Sequence, residues 1–371
     1  MEGSSAPPRK LTMILPFLAI ITLVFASLHY FVYLVVTRTS ESHFEINLVR
    51  LALVFGLISI PLGFICSRLK HKPLAVITWA GYIWMGFFNF LFFFSAIELI
   101  LSFFVNHQFS MWVLFASLII SVWSLYKGLK KPTVAEHNLQ NEKIKGFSLV
   151  QISDLHIGML HLRKNWLKNV VDQINSLKPD VIAITGDLVE GSYNEVSADL
   201  EVLSDLNKQT PKFYITGNHE YIHGGGIWEK RLHELGFTIL HNTHSFIKHN
   251  NATIMMAGVP DKMAKRFNRT LNSQPDLALK TNAKVDYKIL LAHQPSSVFD
   301  LVNEKCDLIL SGHTHGGQIF PFHFFVRLVQ PVVAGFKTVN GIQVFAHQGT
   351  GFWGPPMRWF SQSEIVKINW K

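Results

Sequence analysis

The sequence predicts an α/β domain carried behind an α-helical membrane region of about four transmembrane helices, and three observations lead there. Residues 1–136 hold ten Lys and Arg, five Asp and Glu, and most of the long apolar runs, whereas residues 137–371 hold 24 Lys and Arg and 20 Asp and Glu. Within the second part, short β-type runs alternate with amphipathic segments, which is the pattern of an α/β fold. Five of those runs end directly in Asp, His or Asn, at the strand ends where such folds place their function. The expected division is therefore a membrane region over 1–136 and a water-soluble domain over 137–371.

Composition narrows the classes. The 371 residues are 49% hydrophobic and only 16% charged, against about 25% charged in ordinary soluble domains. Thirty Phe and nine Trp exclude intrinsic disorder. Cys66 and Cys306 are the only cysteines, which excludes a disulfide-stapled fold. The net charge of +9 is a weak pointer to nucleic acid, because the second part contributes only +4 (24 − 20) and the rest flanks apolar spans. No dense basic stripe with interleaved aromatics appears, so no nucleic-acid partner is expected.

The first apolar stretch runs from about Leu11 to Val36, behind Arg9 and Lys10. It is too long for a signal peptide and three more stretches follow, so it reads as a retained helix. The others are Leu51–Cys66, Leu74–Val105 and Met111–Tyr126, each long enough or nearly so for a hydrocarbon core of about 30 Å. Arg9, Lys10, Arg68, Lys70, Lys72, Lys127, Lys130 and Lys131 fall on one side. Arg38 and Arg50 fall on the other, where Asn106–Ser110 carries no Lys or Arg. The positive-inside rule then predicts a multi-pass cell-membrane protein with its large domain on the cytoplasmic side. Glu98 lies in the third stretch, where an ionisable group is costly; placement near the interface is the plainer reading.

After Lys130-Lys131-Pro132 the predicted strands are Phe147–Ser153, Val181–Thr185, Lys212–Thr216, Thr253–Gly258, Lys288–Ala292, Leu308–Ser311, Gln343–His347 and Ile365–Trp370. Helices are expected over Asn165–Leu177, Val196–Lys208 and Ile227–Leu235. The first strand ends in Ser153-Asp154-Leu155-His156, the second in Gly186-Asp187, and the third in Gly217-Asn218-His219-Glu220. The fifth ends in His293 and the sixth in Gly312-His313-Thr314-His315-Gly316-Gly317. Each alone is ordinary: a lone Asp or His after a strand is usually structural, and Gly186-Asp187 reads as well as a turn. All five together, each behind an apolar run and beside glycines that let backbone approach a ligand, are hard to explain as packing. Carboxylate and imidazole without thiolate suit divalent Mn, Fe or Zn. Seven candidate ligands are too many for one ion and suit two ions sharing a carboxylate.

In these blocks, intact over roughly Phe147–Lys371, the sequence resembles the calcineurin-like metallophosphoesterases. The Gly312–Gln318 and Gly349–Arg358 tails and the four preceding spans resemble a bacterial, membrane-attached branch. The resemblance implies a four-layer αββα sandwich and a centre of two divalent metal ions. Asp154, His156 and His315 would hold one metal, Asn218, His293 and His313 the other, and Asp187 would bridge them. His219 would contact the phosphate as general acid or transition-state stabiliser. Mn is the favoured metal, with Fe or Zn as alternatives. Asp307 and the backbone around Gly312 are candidate supports of these ligands.

The remaining histidines read mostly as surface or core. His223, in the Gly-rich segment after Glu220, and Arg358 are candidate substrate-binding residues, and His347 also stands at a strand end. A substrate tilt comes from the anchor and from Ile319–Phe336, whose Phe320, Phe322, Phe324, Phe325 and Phe336 read either as buried strand packing or as a membrane-facing rim. Lys262, Lys265, Arg266 and Arg269 form a basic run that would meet anionic headgroups or be a solvated face. The expectation is a membrane-anchored phosphodiesterase or pyrophosphatase whose partners are the bilayer and a phosphorylated small-molecule or lipid substrate. Some relatives of this arrangement act on UDP-diacylglucosamine. The alternatives are a phosphomonoesterase or protein phosphatase, and a non-catalytic sensor or scaffold on the same fold.

Overall fold

The computed structural model describes residues 11–38, 40–68, 74–105, 110–268 and 270–371. Arg9, Lys10, Lys70, Lys72, the 106–109 loop and Arg269, used above, lie outside them. The described chain forms two compact units; one runs to Tyr126 and takes in Gly354–Met357, and the other comprises Lys127–Trp353 and Arg358–Lys371.

The first unit holds helices α1 (Leu11–Thr37), α2 (His43–Arg68), α3 (Ala75–Leu101) and α4 (Ser110–Leu129). All four are long and apolar enough to cross a membrane. The second and fourth are longer than the apolar runs predicted, because α2 begins with the polar turn around Glu45 and α4 extends to Leu129. Small residues set the α2–α3 approach: a Cβ on Gly81 would strike the Ser59 carbonyl, so this contact tolerates only glycine. Val32, Val36, Leu53, Phe88, Leu91 and Val113 form the packed seam. Glu98 is buried in this unit and accepts from the Ser110 hydroxyl at 3.0 Å. The carboxylate therefore sits inside the helix packing with a partner and does not face lipid.

The second unit runs β1 (Thr133–Leu139), β2 (Ser148–Ile152), α5 (Lys164–Leu177), β3 (Val181–Thr185), α6 (Tyr193–Leu200), β4 (Lys212–Ile215), α7 (Asn218–Ile222), α8 (Gly226–Glu234) and β5 (Thr238–Ile239). It continues through β6 (Thr243–His249), β7 (Ala252–Gly258), α9 (Ala264–Phe267), α10 (Pro275–Leu279), β8 (Tyr287–Leu291), β9 (Leu308–Ser311), α11 (Phe322–Val329), β10 (Gly335–Val339), β11 (Ile342–Ala346) and β12 (Glu364–Trp370). One sheet has the order β1-β12-β2-β3-β4-β5 and the other β10-β11-β9-β8-β7-β6. In the first, β2 through β5 are parallel; in the second, β7, β8, β9 and β11 are.

Side-chain alternation along the strands builds the layers. Leu149, Val181, Ala183 and Phe213 of one sheet meet Ile254, Met256, Ile289, Leu308 and Phe345 of the other. Val150, Ile152, Ile182 and Ile184 point the opposite way, onto Leu167, Val170 and Ile174 of α5, Val196 and Leu200 of α6, and Trp228 and Leu232 of α8. On the far side, Met255, Ala257, Leu290, Ile309 and Val344 pack with Ala278, Leu279 and Val298. The result is the expected αββα sandwich.

Among the differences from expectation, three bear most on the fold. β1 pairs with β12 from Thr133↔Glu364 to Leu139↔Trp370, so a strand crosses the 136/137 division. It was invisible because its Thr-Val-Ala-Glu-His-Asn-Leu run is mostly polar and gains strand character from a partner over 200 residues away. The predicted Val196–Lys208 helix ends at Leu200 and tightens into a 3-10 turn over Glu201–Asp205. Within Ile319–Phe336, the buried-strand reading holds only for the end: Phe336 lies in β10 against the inter-sheet core. Phe322–Val329 is instead a helix with no buried residue.

Candidate metal centre

The seven candidate ligands converge where β2, β3 and β4 of one sheet and β8 and β9 of the other end. The parallel strands deliver one short segment each. Asp154, His156 and His315 bring one potential ligand atom apiece within 4.8 Å of one another, and Asp187, His293 and His313 form a second such group. His156 Nε2 lies 3.2 Å from His315 Nε2, which is 3.4 Å from Asp154 Oδ1. In the second group, His293 Nε2 lies 3.2 Å from Asp187 Oδ2, and Asn218 Oδ1 is 3.1 Å from His313 Nδ1. Asp154, His156, Asp187, Asn218, His293 and His315 are all buried, and His313 is half-buried.

The backbone is bent to achieve this. Asp154, His156, Asp187, His313 and His315 all adopt φ between 47° and 68°. That left-handed region costs a non-glycine residue of order 1–3 kcal/mol, a cost that persists only where surroundings over-determine the conformation. The neighbouring glycines leave no room for a side chain: a Cβ on Gly312 would meet Ser153 and Asp154, and one on Gly217 would meet Asp187. Asp154 accepts the His313 N–H at 2.9 Å, which ties the two sheets together at the site. The His219 N–H donates to Asp187 Oδ1 at 2.8 Å.

The donor set fits divalent cations. His293 Nδ1 lies 2.7 Å from the Thr185 carbonyl, which requires a proton there and turns Nε2 toward Asp187. That nitrogen and the Asp187 carboxylate face each other 3.2 Å apart in a buried site, where a divalent cation would take the place of a shared proton. Burial alone would raise the Asp187 pKa, but the charges of His293, His219 and His156 outweigh it and hold the carboxyl well below its usual range. His315 is driven well below the ordinary imidazole value by burial, then by His156 and Arg358, so it presents a neutral nitrogen. Oxygen and imidazole donors without thiolate match hard to borderline ions.

Two residues without an assigned role in the sequence reading carry the surroundings. Glu190 contacts three imidazoles: His156 Nδ1 at 3.0 Å, His219 Nδ1 at 2.6 Å and His223 Nε2 at 3.1 Å. Burial opposes the His219 cation, yet the bond to Glu190 and the charges of Asp187, Glu190 and Glu220 raise its pKa to about 9. Glu220 is fully buried and accepts the N–H groups of Gly217 (2.6 Å), Asp187 (3.0 Å), Leu188 (2.6 Å) and Val189 (3.3 Å). The signal for Glu190 was its place three residues after Asp187; the bridge Ile157↔Val189 is what turns it inward.

His223 borders the site, with its Nε2 3.1 Å from Glu190 and its ring 6.1 Å from that of His219. Arg358 does not bind substrate: it is 1% exposed, and its terminal nitrogens donate to the carbonyls of His315, Gln348, Gly349 and Gly351. A guanidinium spent on four backbone carbonyls clamps the loop behind His315 and has no face left for a phosphate. His347 is likewise core; burial lowers its pKa to about 3, and its Nδ1 accepts from the Gly349 N–H at 2.9 Å. Asp307 sits at the start of β9, where it accepts the Lys288 N–H at 2.7 Å, and gives the ligands no support. Lys262 is paired with Asp300 at 2.7 Å, so the basic run is not a free cationic surface at that position. Trp353, half-exposed, holds its ring 6.0 Å from that of His219. Its backbone is gripped on both sides by Gln318, at 3.0 Å through N–H and 2.8 Å through C=O.

Residues 147–317 match the calcineurin-like phosphoesterase family profile. A Helicobacter pylori protein named as a metallophosphoesterase is 36% identical over 248 residues, covering 66% of this chain and 65% of its own length. A metallophosphoesterase of Aquifex aeolicus is 31% identical over 243 residues, 64% of this chain and 91% of that protein. A zebrafish (Danio rerio) transmembrane protein with a metallophosphoesterase domain is 31% identical over 270 residues, 69% of this chain and 61% of that protein.

Proposed function

Since the chain belongs to the calcineurin-like phosphoesterase family, we propose that it is a membrane-anchored, dinuclear-metal phosphoesterase. Its substrate would be a phosphodiester or pyrophosphate, lipid- or nucleotide-linked. The observation that carries this reading is the pair of adjoining clusters, Asp154/His156/His315 and Asp187/His293/His313, with Asn218 beside the second and the His219 ring 4.7 Å from that of His156. Asp187 would bridge two ions. Such ions, Mn²⁺ by preference, would neutralise phosphoryl oxygens and acidify a water nucleophile.

The chain's own residues supply the rest. Glu190 holds Nδ1 of His219, which leaves Nε2 to meet the departing oxygen. A proton held there by Glu190 and Asp187 is available when charge develops on that oxygen. Glu220 fixes the two loops that carry Asp187 and Asn218 at one separation. A degenerate scaffold on this fold would be expected to lack ligands, and here all seven converge.

The test is hydrolysis of an aryl phosphodiester beside its monoester by the full-length chain in detergent with Mn²⁺. Diester turnover is expected to dominate. His219→Ala should lower kcat by about 10²–10⁴-fold on an alkyl diester. The loss should be much smaller with p-nitrophenolate as leaving group, which needs no proton. Equal losses on both substrates would remove the general-acid role, and preferential monoester turnover would favour the phosphatase alternative.

We assign the catalytic domain to the cytoplasmic side on the loop charges. A reporter active only in the cytoplasm, fused after Lys371, should give signal, and a stably made but silent fusion would reverse that assignment.

A further inference from the structure

An apolar helix stands uncovered beside the metal centre. Five of the eight residues of α11 are large, apolar and exposed: Phe322, Phe324, Phe325, Leu328 and Val329, with Leu328 at 81%. The patch continues through ring contacts from Phe320 to Phe324 at 5.7 Å, to Trp359 at 5.3 Å and to Phe360 at 5.7 Å, and Phe360 is itself exposed. The helix is firmly mounted. Gly317, at φ 80°, leaves the space that the His323 backbone fills, so α11 sits on the same loop that presents His315. Contiguous apolar surface of this kind on a soluble domain marks an interaction site.

We propose that α11, with Phe360, is an interfacial membrane surface that inserts into the headgroup region of the bilayer crossed by this chain's own spans. Covalent reach selects that occupant. Only Lys130, Lys131 and Pro132 separate the end of α4 at Leu129 from the start of β1 at Thr133. Four residue steps span at most about 14 Å, less than the radius of gyration of about 18 Å expected for a domain of this size. A domain on so short a tether stays at the lipid surface, where an apolar ridge meets bilayer at an effective concentration no soluble partner matches. The chemistry also fits. Aromatic side chains are favoured at the membrane interface, and Arg327, within the helix, suits phosphate headgroups. The consequence for the site is that the loop presenting His315, on which α11 is mounted, is brought toward the headgroups. This surface stands on exposure and tether length, and it holds whichever ester is cleaved.

The test uses the full chain in nanodiscs of mixed phosphatidylcholine and phosphatidylglycerol. Cys66→Ser and Cys306→Ser remove the native thiols, and Phe325→Cys, Leu328→Cys or Lys208→Cys each receives a fluorophore. Nitroxide on the lipid chains should quench the labels at 325 and 328 by about two-fold or more, while aqueous iodide should quench only the label at 208, an exposed position. Labels at 325 and 328 that iodide reaches as readily as 208 would overturn the proposal. Shielding of 325 and 328 only when two chains share a disc would overturn it in favour of a second copy as the occupant. No turnover is read, so failure here is distinct from failure of the enzyme assignment.

Discussion

Asp187→Asn is expected to lower diester turnover by at least about 10³-fold, above the 10²–10³ lost with a single transition-state donor. The substitution keeps the size of the side chain and keeps an oxygen to accept the His219 N–H now held at 2.8 Å. What changes is the atom 3.2 Å from His293 Nε2, where a carboxylate oxygen becomes an amide or loses its charge. With His293 Nδ1 committed to the Thr185 carbonyl, that ring cannot turn to compensate. Metal content should fall from two ions per chain to one or fewer, measured by elemental analysis after desalting, while thermal unfolding of the metal-free chain changes little. A variant that retained a tenth of the wild-type rate with two ions bound would remove Asp187 from the centre.

Glu220→Ala is expected to give the largest loss of stability. The substitution leaves the N–H groups of Gly217, Asp187, Leu188 and Val189 without an acceptor in a fully buried pocket. An unsatisfied buried donor costs about 1–3 kcal/mol, and some of the four would recover water, so a net loss of about 3–5 kcal/mol follows. For a domain of this size that is a fall in Tm of roughly 10 °C, read by thermal unfolding in detergent. Glu220→Gln should fall between, because its carbonyl still accepts while its amide faces donors. An alanine variant melting within about 2 °C of wild type would show that the loops hold without this carboxylate. Activity should fall with stability, since the same four N–H groups set the spacing of the Asp187 and Asn218 loops.

How far the centre could be read from sequence follows from where its residues lie. Asp154, Asp187, Asn218, His293 and His313 stand directly behind apolar strands, and strand ends converge in any parallel sheet, so order along the chain was enough. Glu190 stands behind no predicted strand. It faces the imidazoles because Val189 bridges Ile157, a contact between segments that no local pattern encodes. Arg358 misled for the complementary reason: a lone arginine near a phosphate site has the right charge, and only its four carbonyl partners show that the charge is already committed.

By itself the sequence determined the four apolar helices, the α/β alternation and the Asp, Asn and His residues that converge, because each is written in short-range periodicity or in residue type at a strand end. Tertiary structure alone decided which polar residues turn inward, that β1 joins the sheet through β12, and that the Phe-rich segment is an exposed helix and not a buried strand. Those outcomes rest on partners distant along the chain. Strand pairing, burial and the hydrogen-bond saturation of a guanidinium or carboxylate are properties of what surrounds a residue, and the surroundings exist only after the chain has closed on itself.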